Sequence, residues 1–198
     1  GEDEGVEFDR EPLFVRPLDY NTVDIGQSSP YPCDLNTISV TLQTSIPLIV
    51  NSAYSECRPT ITITGLTGTQ TAQTDFLPLY ANHDKFSSEG SWYPTTGTLI
   101  FDVEETTMGQ YIDYEFNFNL TNAAAAQSSP DITIEISVDG APTSVMNRDA
   151  TSTIPVYDAV TGNSQPMHIL AARFVTKSIG QSVPYPGCMN TITMTLAT

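Results

Sequence analysis

The chain predicts an all-β fold, an antiparallel β-sandwich, on three observations. Apolar and polar residues alternate with a period of two along several segments. Turn dipeptides separate those segments at short intervals, and no stretch carries a convincing helical period.

Taken in order, Asn36–Leu42 is the first clear strand, with Ile38, Val40 and Leu42 on one face and Thr37, Ser39 and Thr41 on the other. Thr60–Thr64 alternates likewise, and Leu99, Phe101 and Val103 share a face in the run that follows Gly97. In Tyr111–Leu120, Ile112, Tyr114, Phe116, Phe118 and Leu120 point one way, while Tyr111, Asp113, Glu115, Asn117 and Asn119 point the other. Asp131–Val138 repeats the pattern with Ile132, Ile134, Ile136 and Val138. Strict alternation of this kind suits strands with one buried face. Turns are expected at Thr67-Gly68, Thr96-Gly97, Asp139-Gly140 and Thr161-Gly162-Asn163. The run Ala123–Ala126 favours helix but is too short to stand alone, so it reads as a tight turn. About nine or ten strands are expected, and their regular punctuation indicates a sandwich. Trp92 is expected to plug its core.

An internal repeat sets the domain organisation. Residues 166–198 align without a gap onto residues 12–44, with 15 of 33 positions identical at a spacing of 154. The shared core is I-G-Q-S-x-P-Y-P-x-x-x-N-T-I-x-x-T-L-x-T. The chain therefore divides into an acidic arm (1–11), one repeat unit (12–165) and a partial second unit (166–198). A unit reduced to its first strands cannot bury its own apolar face. Ile192, Met194 and Leu196, with the unpaired backbone of their strand, form an expected assembly surface, and Cys188 lies beside it. Three outcomes are open. The strands extend or complete the sheet of a neighbouring subunit, the natural chain continues past Thr198, or the tail folds back on its own domain.

Composition excludes several function classes. A net charge of −16 with only 7 Lys+Arg offers no basic patch for nucleic acid or an anionic membrane. Apolar runs such as Ile46–Val50 are far too short to cross a bilayer. No signal peptide is present, so a secreted form is expected to be the mature one. The scarcity of charge outside the acidic arm, and the wealth of Thr, Ser and Asn, fit an extracellular or cell-surface β-protein.

The three cysteines are Cys33, Cys57 and Cys188. A Cys33–Cys57 bridge would close a loop of about 24 residues and add roughly 3 kcal/mol. Cys188 stands one position after the equivalent of Cys33, which leaves it a free thiol or a link to another molecule.

Four phrases in order carry a resemblance: Asn36-Thr-Ile-Ser-Val-Thr-Leu, Ile61-Thr-Ile-Thr-Gly-Leu-Thr-Gly, Gly90-Ser-Trp-Tyr-Pro-Thr-Thr-Gly-Thr-Leu and Phe118-Asn-Leu-Thr-Asn-Ala-Ala-Ala-Ala-Gln-Ser-Ser-Pro. Together they resemble the tandem immunoglobulin-like β-sandwich repeats of large extracellular, fibre-forming glycoproteins of microbial eukaryotes. The resemblance runs over most of residues 12–145 and implies an immunoglobulin-like sandwich used as a building block of surface fibres. It implies no catalytic residues. This chain departs from the pattern in holding one complete repeat.

Catalytic chemistry has little to stand on. His168 occupies a strand position held by Phe14 in the first copy, and His83 sits in a polar loop. No nucleophile elbow, H-E-x-x-H, C-x-x-C or phosphate loop occurs. Asp102, Glu104 and Glu105, and separately Asp113 and Glu115, are acidic groups without a calcium-loop spacing, so no metal or cofactor is expected. Asn119-Leu120-Thr121 is an N-glycosylation sequon on the polar side of its strand. Ser28-Ser29-Pro30, Tyr31-Pro32 and Ser128-Ser129-Pro130 are weaker candidates for proline hydroxylation or O-linked sugar.

The expected function is a non-enzymatic structural subunit of an extracellular filament, a homopolymer joined head to tail by shared β-strands and carrying covalent glycans. The alternative is a carbohydrate-binding or adhesive module using Tyr80, Trp92, Tyr93 or Tyr111.

Overall fold

The computed structural model describes residues 15–50, 58–104, 107–138, 141–148, 165–171 and 173–197. Within them lie twelve strands: β1 (Tyr20–Gln27), β2 (Leu35–Thr44), β3 (Thr60–Thr64), β4 (Thr74–Ala81), β5 (Glu89–Tyr93), β6 (Thr98–Asp102), β7 (Tyr114–Thr121), β8 (Thr133–Ile136), β9 (Ser144–Val145), β10 (Asn147–Arg148), β11 (Thr176–Gln181) and β12 (Ile192–Ala197). The fold is all-β, as the alternation requires.

Ten strands form one hydrogen-bonded ladder in the order β10-β1-β2-β7-β4-β5-β6-β3-β8-β9. Every pairing is antiparallel except the two-residue contact of β1 with β10. Two devices bend this ladder around a core. Strand β4 serves both halves: Leu79, Tyr80 and Ala81 pair with β7, while Thr74, Leu77 and Pro78 pair with β5 across a register irregularity. At the other end, β9 sits on β8 and β10 on β1, with Met146 alone between them. The two ends of the ladder are thus joined by one residue, and the sheet curls into a nearly closed barrel. Closure of this kind removes exposed edges.

The expected inward faces are buried. Ile38 and Leu42 are fully enclosed, as are Ile61, Ile63, Leu99, Phe118, Leu120 and Ile134. Trp92 is 0% exposed, and its indole N–H donates to the Thr71 carbonyl at 3.2 Å. Phe86 stands edge-on to Phe101 and Phe116 at 5.5 and 5.0 Å, a geometry aromatic rings favour.

One boundary differs from the alternation. Strand β7 starts at Tyr114, not Tyr111, and Ile112 is 51% exposed. Tyr111 adopts a φ of 58° and gives its N–H to the Thr44 carbonyl at 2.9 Å, so the chain is still turning there. A turn residue inside an apparently periodic run reverses the faces of whatever precedes it. The Ala123–Ala126 stretch is a turn, with the Ala123 N–H bonded to Gly68 and its carbonyl taken by Cys33. The expected turns at Asp139-Gly140 and Thr161-Gly162-Asn163 lie outside the described residues, as does the acidic arm.

Candidate assembly site

The hairpin β11–β12 forms a separate two-stranded sheet, and every residue of both strands is exposed. It is a structural copy of β1–β2. In the first hairpin Val23, Ile25 and Gln27 face Leu42, Val40 and Ile38; in the second Lys177, Ile179 and Gln181 face Leu196, Met194 and Ile192. Every one of these pairs is displaced by the repeat spacing of 154, so the register is the same.

The sequence locks that register through an asparagine. Asn36 Oδ1 accepts the N–H groups of Ser28 and Ser29, each at 3.1 Å, and its Nδ2 donates to Gln27 Oε1 at 3.0 Å. Ser28 Oγ accepts the Thr37 N–H at 2.8 Å. In the copy, Asn190 Oδ1 accepts Ser182 and Val183, its Nδ2 reaches Gln181 Oε1 at 2.8 Å, and Ser182 Oγ accepts the Thr191 N–H at 2.8 Å. The turn is also shared: Cys33 (φ 60°) and Gly187 (φ 77°) hold the same left-handed position.

Surroundings separate the two copies. Strand β2 pairs along its length with β7, and Val23, Ile25, Ile38, Val40 and Leu42 are 5% exposed or less. Their counterparts Ile179, Ile192, Met194 and Leu196 are 71%, 57%, 62% and 50% exposed. Phe174, Val175, Tyr185 and Met189 are exposed as well. An isolated two-stranded hairpin is marginal in water. The sequence expectation named Ile192, Met194 and Leu196; it missed Ile179, whose counterpart Ile25 gave the signal.

Just before the hairpin, residues 166–170 form a strap on the body. Ile169 and Gln127 exchange backbone hydrogen bonds at 2.9 and 3.1 Å. Gln127 Nε2 donates to the Met167 carbonyl at 2.8 Å, Gln27 Nε2 to that of His168 at 3.0 Å, and Ser129 Oγ to that of Pro166 at 2.6 Å. The Leu170 N–H donates to the Pro30 carbonyl at 2.8 Å. Met167 and Ile169 are 0% and 1% exposed. Gly68 (φ 77°) makes room for the Gln127 side chain, because a methyl at that glycine would overlap its amide.

The remaining candidates disperse. Cys33 and Cys188 are exposed free thiols, and Cys57 lies outside the described residues. Asn119 is half-buried on the outer face of β7, where its Oδ1 accepts the Thr37 hydroxyl at 2.8 Å. Asp102 and Glu104 flank Arg58 at 3.8 and 3.3 Å, and Asp113 accepts Gln43 Nε2 at 2.8 Å, whereas Glu115 is exposed in β7. Glu105 is outside the described residues. Among the described residues no cluster of His, Cys, Asp or Glu could hold a metal ion. His83 packs edge-on between Phe86 and Tyr114 at 5.0 and 5.1 Å. Burial lowers its pKa, opposed in part by the Glu115 backbone and Asp84. His168 takes part in the strap through its backbone, its N–H donating to the Gln165 carbonyl at 2.9 Å and its carbonyl accepting from Gln27 Nε2. Tyr80, Tyr93 and Tyr111 are 51%, 36% and 52% exposed, whereas Trp92 is enclosed and offers no platform to a sugar. No helix among the described residues is long and apolar enough to cross a membrane.

No protein-family model matches this chain, and no curated protein matches it.

Proposed function

We propose that this protein is a structural subunit of an extracellular filament, joined head to tail by strand sharing, and that its body is an immunoglobulin-like sandwich. One observation carries the reading: β11–β12 has the register of β1–β2 but leaves bare the face that β1–β2 buries. The surface shaped to cover it is the flank of a β7-like strand in a second copy. That flank already holds the acceptor's own β1–β2, so joining exchanges one hairpin for another. In the exchanged ladder Ile192, Met194 and Leu196 take the places of Ile38, Val40 and Leu42, opposite Phe118, Phe116 and Tyr114. Lys177 takes the place of Val23 and extends its stem across the sheet with the ammonium in water. A contact between unlike surfaces that does not close into a ring grows an open helical filament.

Glycan on Asn119 and a Cys33–Cys57 bridge belong to the same reading, and both fit an extracellular protein without enzymatic activity. Sedimentation and negative-stain microscopy of the intact chain, beside a chain ending at Leu170, test it. The intact chain is expected to polymerise and the shortened one to stay monomeric. Equal polymerisation of both removes the mechanism. The second reading, a sugar-binding module, is favoured only by the exposed rings of Tyr80, Tyr93 and Tyr111. A glycan array without hits removes it.

A further inference from the structure

Tyr80 and Asn119 share one outer face of the ladder. Strand β7 runs between β2 and β4, so its outward residues have neighbours on both sides. Thr37 of β2 stands directly opposite Asn119, and Tyr80 of β4 stands directly opposite Asn117. Asn119 is therefore the diagonal neighbour of Tyr80, a separation of about 7–8 Å that an aromatic side chain can bridge. We propose that Tyr80 seats the first sugar of a glycan on Asn119, an N-acetylhexosamine lying over the phenol ring. The inference rests on the reading of Asn119 as glycosylated and adds the side chain that receives the sugar.

The amide is aimed that way. Its Oδ1 accepts the Thr37 hydroxyl at 2.8 Å, on the β2 side. In a planar amide the nitrogen takes the other corner, so Nδ2 turns to the β4 side, where Tyr80 stands. Among the described residues Nδ2 donates no hydrogen bond, and it is not enclosed. Attachment forms a bond from Nδ2 to the anomeric carbon of the sugar. The amide gives up one proton, and the bond from that carbon to the pyrophosphate of a lipid-linked oligosaccharide breaks. Thr121 completes the sequon two residues on and is itself half-buried on the same outer face.

Tyr80 supplies the other half of the contact. It is 51% exposed, between exposed Pro78 and Ala81. A pyranose presents C–H groups on one face, and these suit the electron-rich face of an aromatic ring. A tethered sugar meets the ring at high effective concentration, so a weak stack suffices. Hairpin exchange keeps the arrangement, because Thr191, 154 positions after Thr37, carries the same hydroxyl.

The test makes the full chain twice, in a secretory host that adds N-glycans and in a bacterial host that lacks the transferase. Both are held in reductant, and trimming leaves one N-acetylhexosamine on the first. In dilute solution the sugar is expected to raise the melting temperature of wild-type by about 2 °C or more. In Tyr80→Ala the rise is expected to be less than half as large. Tyr93→Ala, on a strand that does not adjoin β7, is expected to keep the full rise. Tyrosine nitration, mapped by mass spectrometry, is the second measurement and needs no variant. Tyr80 is expected to react several-fold more slowly when the sugar is present, and Tyr93 and Tyr111 at the same rate. An equal effect of the sugar in wild-type and Tyr80→Ala, or nitration of Tyr80 untouched by it, overturns the proposal and leaves the glycan on Asn119 standing. A secreted chain whose Asn119 is bare by mass spectrometry removes both.

Discussion

Asn36 and Asn190 make the same hydrogen bonds to equivalent partners in two hairpins, yet Asn36 is 0% exposed and Asn190 is exposed. The difference lies in a neighbour. Asn36 Nδ2 also donates to Asn122 Oδ1 at 2.9 Å, and Asn122 in turn donates to the carbonyls of Ser29 and Tyr31. Among the described residues, the hydrogen bonds of the Asn190 side chain stay within its own hairpin. The hairpin is locally specified and globally unsheltered.

Replacing each asparagine by alanine separates the two roles. Asn36→Ala strips partners from enclosed Gln27 and Asn122 and is expected to cost about 3 kcal/mol. Asn190→Ala is expected to leave the body's denaturant midpoint unchanged while weakening self-association. Urea melts followed by Trp92 fluorescence check the first, and sedimentation the second. A large loss of body stability in Asn190→Ala contradicts the account.

Cys33 carries a side chain at a left-handed position that its counterpart fills with Gly187. Holding a non-glycine residue there costs on the order of 1 kcal/mol, part of which glycine returns as unfolded-state entropy. Cys33→Gly is therefore expected to raise stability by about 0.5 kcal/mol under reducing conditions, read as a rise in melting temperature. Under oxidising conditions a fall instead would reveal a bridge to Cys57.

Gly68→Ala collides with the Gln127 amide and adds strain at a φ of 77°. Gln127 holds the strap through Thr67, Met167 and Ile169. The substitution is expected to cost about 2 kcal/mol or more. Amide hydrogen exchange at Ile169 and Leu170 is expected to speed up well before exchange in β2 and β7. Uniform acceleration across the body would argue against a local clamp.

His83 gives a pH dependence with a defined sign. Burial between aromatic rings lowers its pKa below the ordinary 6.5. The unfolded chain therefore takes the proton first, and stability falls as pH drops below about 6.5 until the folded protein is protonated too. His83→Gln is expected to flatten that slope in melts between pH 7 and 5. An unchanged slope would move the acid sensitivity to other groups.

Tyr20 acts at the opposite end of the scale. Burial is the main cause that pushes its pKa up from 10.0 to about 12, while the Ile136 N–H it accepts at 3.1 Å opposes the shift. Its phenolate forms more readily in the unfolded chain, so its contribution is intact below pH 10 and is lost as pH rises towards 12. Tyr20→Phe is expected to weaken that alkaline loss in melts, at the expense of the bond to Ile136.

The strands with clean alternation, β2, β3, β6, β7 and β8, were legible because one face of each meets the core along its whole length. β4 was hidden because it carries Pro78 and changes partner halfway, so neither face is buried throughout. β9 and β10 span two residues each, too short for a period to show. Tyr111 and Ile112 misled because a turn and a strand look alike when apolar and polar residues happen to alternate. Within the assembly surface, the repeat pointed to β12, while β11 was obscured by Lys177 at a core-facing position.

Sequence by itself determined the strand character, the doubled hairpin and the spacing of 154, because these follow from side-chain type and order along the chain. Tertiary structure alone decided which copy is sheltered, that residues 166–170 belong on the first body, and that β9 and β10 bring the ladder round on itself. The physical reason is that each of these depends on a partner far away in the chain. Asn122, 86 positions from Asn36, closes one hairpin into the core, and nothing local to Asn36 or Asn190 could reveal that the first would be enclosed and the second left exposed.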